Sequence, residues 1–183
     1  SKAFSLKRKL GAVEKASKTM NRLVAFESMT TLTGTNADER FRVRSGDEVL
    51  VALAVAAELI VNQGKSKFAN DAQVTAVLKN FTSNNIPEIS RDTISKLAKE
   101  LWENQGKSIV FGGGFQASGD HGLALETVVN LINSALENEG NTIHGSSGKT
   151  VSSSWNDLNK ILTGKDSVDA LFIYQTNPNY LGL

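Results

Sequence analysis

The run from Val49 to Val61 is apolar on nearly every face of a helix and is interrupted only by Glu58. At about 13 residues it falls short of the roughly 20 apolar residues that cross a bilayer, so it must be a helix buried in a protein core, packed against a sheet. Asp47 and Glu48 occupy its first turn, where the helix dipole favours negative charge by roughly 0.3 to 1 kcal/mol. Gly64 closes it.

The segments around it supply the sheet. Leu23-Val24-Ala25-Phe26 is an apolar run that ends in the single acid Glu27, the pattern of a buried parallel strand whose carboxyl end borders a ligand crevice. Ser28 to Asn36 is rich in threonine and contains Gly34, which reads as a loop, and Arg40 to Arg44 alternates strictly as a short half-exposed strand. Ser108 to Phe111 is a third apolar run. It is broken by Gly112-Gly113-Gly114, and apolar residues resume at helical spacing from Leu123, as in a βαβ unit. Gly112-x-Gly114-x-x-Ala117 fits the loose form of the dinucleotide fingerprint, in which a glycine turn and a helix N-terminus meet a pyrophosphate. The helix is expected only after Ser118 or Asp120, too late to enclose the third position, so a plain strand-to-helix loop competes with that reading. A last strand, Ala170 to Tyr174, runs into Gln175-Thr176-Asn177-Pro178. Helices are expected at Asp71 to Phe81, around Ile94, Leu97, Ala98, Leu101 and Trp102 up to Gly106, along Val128 to Leu136, and at Trp155 to Leu162. Strands alternating with helices define an α/β fold, Rossmann-like, with a mostly parallel sheet and helices on both faces.

One such domain fits the 183 residues, with the basic stretch 1–20 as a surface helix or linker. Residues Gly145 to Ser154 read as a surface loop. The chain stops in what should be the next strand-to-helix loop, which predicts that it belongs to a longer protein. Twenty basic against nineteen acidic residues leave a net charge of +1, which gives no field for nucleic acid. The chain has no cysteine, so it holds neither a thiolate-bound cluster nor a cysteine nucleophile, and two histidines, His121 and His144, are few for zinc. No segment is long enough to insert in a membrane. Asp120-His121 beside the glycine turn suggests a proton-transferring pair, but adjacent residues at a helix start point apart, and a capping Asp with a surface His is the simpler reading. Asp38, Arg40 and Arg44 are expected to pair across loop and strand surface. No nucleophile or acid–base pair is named, so no catalysis is expected of this segment alone.

In order and spacing, three of these segments resemble the molybdopterin oxidoreductase superfamily. Its members have a strand ending in Asp-Pro-Arg, a threonine-rich loop, Ala-Asp, a short alternating strand, and Pro-Gly-Thr-Asp opening an alanine-rich helix. Here Leu23 to Phe26 leads into Glu27-Ser28-Met29, then Thr30, Thr31 and Thr33, Ala37-Asp38, Arg40 to Arg44, and Ser45-Gly46-Asp47-Glu48 before Val49 to Ala54. Phe111 to Gly114 resembles the family's glycine loop, and Ile173 to Pro178 a strand ending in Gly-Gly-Asn-Pro. The resemblance implies a cofactor-binding set of Glu27, Asp47, Glu48, Gly112, Gly113, Gly114, Asn177 and Pro178. Departures fall on the same set. Met29 stands where the family has an arginine, Asp47-Glu48 replaces the Thr-Asp that reads guanine, and Gln175 and Thr176 replace two glycines, so the set is expected to be vestigial.

Within the superfamily, Phe26-Glu27-Ser28, Leu32-Thr33-Gly34 and Arg40 to Arg44 resemble the large iron-sulfur subunit of bacterial alternative complex III, a quinol-oxidising respiratory complex. That resemblance implies a domain without molybdenum cofactor, iron-sulfur clusters elsewhere in the full chain, other subunits of a membrane-bound complex as partners, and a place on the periplasmic side. Two alternatives stay open: a dinucleotide-binding domain of an active molybdopterin oxidoreductase, holding molybdopterin guanine dinucleotide, and an unrelated α/β nucleotide-binding domain that uses the Gly112 turn.

Overall fold

A computed structural model describes Arg8 and residues 20–82, 86–113, 121–145, 160–161 and 163–164. The chain divides into two compact units, Ser1–Gly145 and Ser146–Leu183. The elements named below all belong to the first. They are β1 (Val24–Glu27), α1 (Leu32–Thr35), β2 (Glu39–Arg42), α2 (Glu48–Ala57), a π-helical turn (Glu58–Asn62), α3 (Ala72–Lys79), α4 (Arg91–Glu103) and α5 (Gly122–Ala135).

The apolar run is the centre of the core, as its composition requires. In α2, Val49, Val51, Ala54, Val55, Ala56 and Ala57 are buried, and α3, α4 and α5 all pack against it. Valines are indifferent helix formers, so it is tertiary burial that holds this helix, while its alanines let neighbours approach closely. At Glu58 the helix widens into a π turn, closed by the Gln63 N–H donating to the Glu58 carbonyl at 3.0 Å. The wider turn leaves both Leu59 and Ile60 almost fully buried. Glu58 itself faces outward, accepting from Asn62 Nδ2 at 2.5 Å and from Ser95 Oγ of α4 at 3.1 Å.

The other helices carry local start signals. Asp71 caps α3 by accepting from the N–H groups of Gln73 and Val74 at 2.9 and 3.1 Å, and Ser90 caps α4 by accepting from the Thr93 N–H at 3.1 Å. In α4 the stripe of Ile94, Leu97, Ala98, Leu101 and Trp102 turns to the core. Past its end, Gly106 has φ +66 and donates its N–H to the Leu136 carbonyl at 2.8 Å, which fastens α4 to the end of α5.

The sheet is α/β in kind but smaller than the alternation of segments predicts. β1 and β2 form a two-stranded parallel pair with Val24 opposite Glu39 and Glu27 opposite Arg42. Phe26 and Phe41 stack on its inner face, ring centres 5.0 Å apart, and pack against the core. The threonine-rich segment between the strands is not a plain loop, because Thr31 caps the short helix α1.

Ser108 to Phe111 is not a strand. The side chain of Asn133, on α5, takes the place of a neighbouring strand. Its Oδ1 accepts from the Val110 N–H at 3.0 Å and its Nδ2 donates to the Val110 carbonyl at 2.6 Å. Val110 packs inward while Ile109 and Phe111 stay exposed, so the alternation of a strand survives without the ladder. The expected strand at Ala170 to Tyr174 lies outside the described residues, as does most of the helix expected at Trp155 to Leu162, of which Lys160 and Ile161 are helical. No helix among the described residues is long and apolar enough to cross a membrane.

Candidate functional site

Glu27 sits at the carboxyl end of β1, as an α/β ligand crevice requires, but its side chain is turned inward and is 5% exposed. Oε1 accepts from the Thr31 N–H at 3.2 Å, Oε2 from the Thr31 hydroxyl at 2.6 Å, and the Arg40 guanidinium closes on Oε1 from β2. Burial pushes its carboxyl up, but the Thr31 and Arg40 hydrogen bonds outweigh that and hold it below the usual glutamate range. The carboxylate thereby organises the start of α1. Gly34 is part of the same arrangement, since a β-carbon there would collide with the Glu27 carboxylate.

Asp47 and Glu48 open α2. Asp47 is half-buried and its side chain makes no capping hydrogen bond. Glu48 Oε2 accepts from the Gly46 N–H at 2.7 Å, while Oε1 is buried with no hydrogen-bond partner among the described residues. Gly46 has φ +95, and a β-carbon on it would lie 4.0 Å from His121 Cδ2, so the turn before α2 reaches the start of α5. That helix begins at Gly122, with His121 as its exposed first cap residue.

Gly112 and Gly113 lie along the first turns of α5. A β-carbon at Gly112 would meet Leu125 Cγ at 3.2 Å and Glu126 Oε1 at 3.3 Å, and one at Gly113 would meet Glu126 Oε1 at 3.6 Å. Val49, Leu125 and Val129 form a small buried cluster with Val110, and this cluster ties the Asp47–Glu48 turn to the Gly112–Gly113 turn. Gly114, Asn177 and Pro178 lie outside the described residues. The structure therefore brings Gly46 towards His121, and Gly112 and Gly113 towards Glu126, whereas the Glu27 carboxylate is occupied elsewhere. Glu126 was not legible as a site residue, because only the packing of the glycine turn on α5 places it there.

Asp38 and Arg40 do not pair with each other or with Arg44 as expected: Arg40 closes on Glu27, and Arg44 has no ion-pair partner among the described residues. Asp38 takes a two-pronged contact from Arg8, Nη1 to Oδ2 at 2.8 Å and Nη2 to Oδ1 at 3.0 Å, and accepts from the Leu23 N–H at 2.7 Å. The hydrogen bond from Arg8, helped by the Leu23 N–H and opposed by burial, lowers its carboxyl to about 2. Both Asp38 and Glu27 are thus more acidic folded than unfolded. Their contribution is complete above the unfolded range near pH 4 and fades as pH falls, for Asp38 through about 2. Urea midpoints measured between about pH 6 and 2 are expected to fall on the acid side of about 4, and Asp38→Asn to flatten that fall. An unchanged slope in Asp38→Asn would remove the Arg8 contact from the account.

A concavity between β1, β2 and α4 is lined by Arg22, Phe41, Lys96 and Leu97 and measures ≈ 70 Å³. Small-molecule sites run to about 300–1,000 Å³. Ion pairs of Arg22 with Glu39, at 2.8 Å, and with Glu100 of α4 cross it, so it is a bridge between sheet and helix. Among the described residues, no group of three or more His, Asp or Glu side chains is arranged to hold a metal.

No protein-family model, curated protein or solved structure matches this chain.

Proposed function

We propose that this chain is a cofactor-free, molybdopterin-oxidoreductase-like domain with a Rossmann-like plan, acting as a scaffold in a subunit of a respiratory electron-transfer complex. In this reading it supports the iron-sulfur region of the full protein and contacts neighbouring subunits. The observation that carries it is the state of Glu27. The resembling family holds a nucleotide ribose at that position, and here the carboxylate is buried and engaged by Thr31 and Arg40. The described residues at the other expected positions disfavour an anionic dinucleotide as well. Asp47 and Glu48 stand at the helix start, and Glu126 lies beside the glycine turn, so two phosphates would meet carboxylates of their own sign. Such like-charge contacts in a cleft cost several kcal/mol.

The test is elemental and pterin analysis of the purified full-length protein after oxidative extraction. Neither molybdenum nor pterin is expected from this domain, and a stoichiometric amount of either would replace this reading with that of a working molybdopterin enzyme. In a parallel titration, guanosine diphosphate is expected to bind no more tightly than about 1 mM. A micromolar dissociation constant, abolished by Gly112→Val, would show an intact nucleotide site.

A further inference from the structure

We propose that the outer edge of β2 docks an acidic, extended polypeptide segment, which adds to the sheet as a further strand. Alternation along β2 and its extension sends Phe41 and Val43 towards the core and leaves Arg40, Arg42 and Arg44 exposed. Residues two apart in a strand stand about 6.5–7 Å from each other on one face, so three guanidiniums form a row. Arg40 is drawn onto Glu27. Arg42 and Arg44 have no ion-pair partner among the described residues.

The backbone adds a second demand. Glu39 donates its N–H to the Leu23 carbonyl at 3.3 Å and Val43 donates to the Glu27 carbonyl at 3.2 Å, so odd-numbered residues face β1. Arg40 and Arg42 therefore direct their N–H and C=O groups to the opposite edge, where β2 has no strand partner among the described residues. Charge on an edge strand commonly serves only to discourage pairing. Among the described residues, the charge left without an ion pair here has a single sign and lines an edge that offers both donors and acceptors. That combination selects a strand with carboxylates at alternate positions, whose backbone provides affinity and whose side chains provide specificity. A nucleic acid would satisfy the guanidiniums but leave the Arg40 and Arg42 carbonyls unmet. The chain's own first 20 residues, with Lys2, Lys7, Lys9, Lys15 and Lys18, have the wrong charge for this edge.

This inference rests on the scaffold reading in requiring a polypeptide neighbour, yet its outcome is separate, because cofactor analysis tests one and peptide binding the other. The probe is a fluorescent peptide of alternating Glu and Val, titrated with the full chain by anisotropy at low salt. Saturable binding is expected, weakened at least about tenfold by Arg42→Glu with Arg44→Glu and by raising salt from about 0.05 to 0.5 M. A peptide of equal charge with alternate amides N-methylated is expected to lose binding, because it cannot complete the ladder. Circular dichroism of the double variant should match the parent, since both arginines are exposed. Absent binding at about 1 mM peptide, or equal binding of the methylated peptide or of a DNA oligonucleotide, would overturn the proposal and leave the arginines as edge protection.

Discussion

Asn133→Leu is expected to destabilise the fold by about 3–5 kcal/mol, a large part of the stability of an ordinary domain. The residue is 2% exposed and uses its whole amide. Oδ1 accepts from the Val110 N–H and from Asn138 Nδ2 at 3.0 Å, and Nδ2 donates to the carbonyls of Val110 and Val129. Leucine has a similar volume, so no cavity opens; the cost comes from partners left without a bond. The Val110 N–H, the Val110 carbonyl and the amide of Asn138, which is fully buried, would each lose a partner, at about 1–3 kcal/mol for each group that water cannot reach. Asn133→Asp separates donor from acceptor. It keeps an acceptor for Val110 and Asn138 but sets a carboxylate against two carbonyls, so its deficit should shrink as acid protonates it. Urea unfolding of both variants at two pH values provides the check. A loss below about 1 kcal/mol for Asn133→Leu would mean that Ser108 to Phe111 is held by something other than α5.

That segment also marks where sequence pattern stops being informative. Ser108 to Phe111 has the composition and alternation of a strand, and Val110 does pack inward between two exposed neighbours. What a pattern cannot show is the identity of the hydrogen-bonding partner, which here is one amide side chain some 23 residues further along. The buried helix was legible because about 13 apolar residues leave no alternative to burial, whereas the π turn at Glu58–Asn62 was not, since a run that is apolar on nearly every face has no stripe for the extra residue to displace. The same holds for the candidate site. Glu27 was visible as a lone acid at a strand end, and its position is as expected. Its capture by Thr31 and Arg40 depends on how the α1 segment folds back, and threonines between two strands read as loop until one of them caps a helix. Asp38 shows the limit in another form, because its partner Arg8 is 30 residues away in sequence while the nearby Arg40 pairs with Glu27.

Gly34→Ala is expected to cost about 2–4 kcal/mol, for a reason found in the side chain it would strike rather than in its own backbone. Alanine is the better helix former by about 1 kcal/mol, so within α1 the change alone should be favourable. Its β-carbon, however, would overlap the Glu27 carboxylate, which must then leave its place and abandon the Thr31 N–H, the Thr31 hydroxyl and Arg40. The dependence on Glu27 makes the prediction a cycle. Glu27→Ala alone should cost about 1.5–3 kcal/mol through the lost charged hydrogen bonds. In that background Gly34→Ala should become nearly neutral, because nothing remains for the new methyl to strike. The coupling between the two positions is then at least about 1 kcal/mol, well beyond what independent sites show. The functional reading depends on the same cycle. If Gly34→Ala were tolerated in the parent and uncoupled from Glu27, the carboxylate would be free to swing out of its cradle towards the strand-end crevice, and its engagement could no longer support a cofactor-free domain. Strong coupling means that Glu27 is held by the fold, which is what the proposed cofactor-free reading requires.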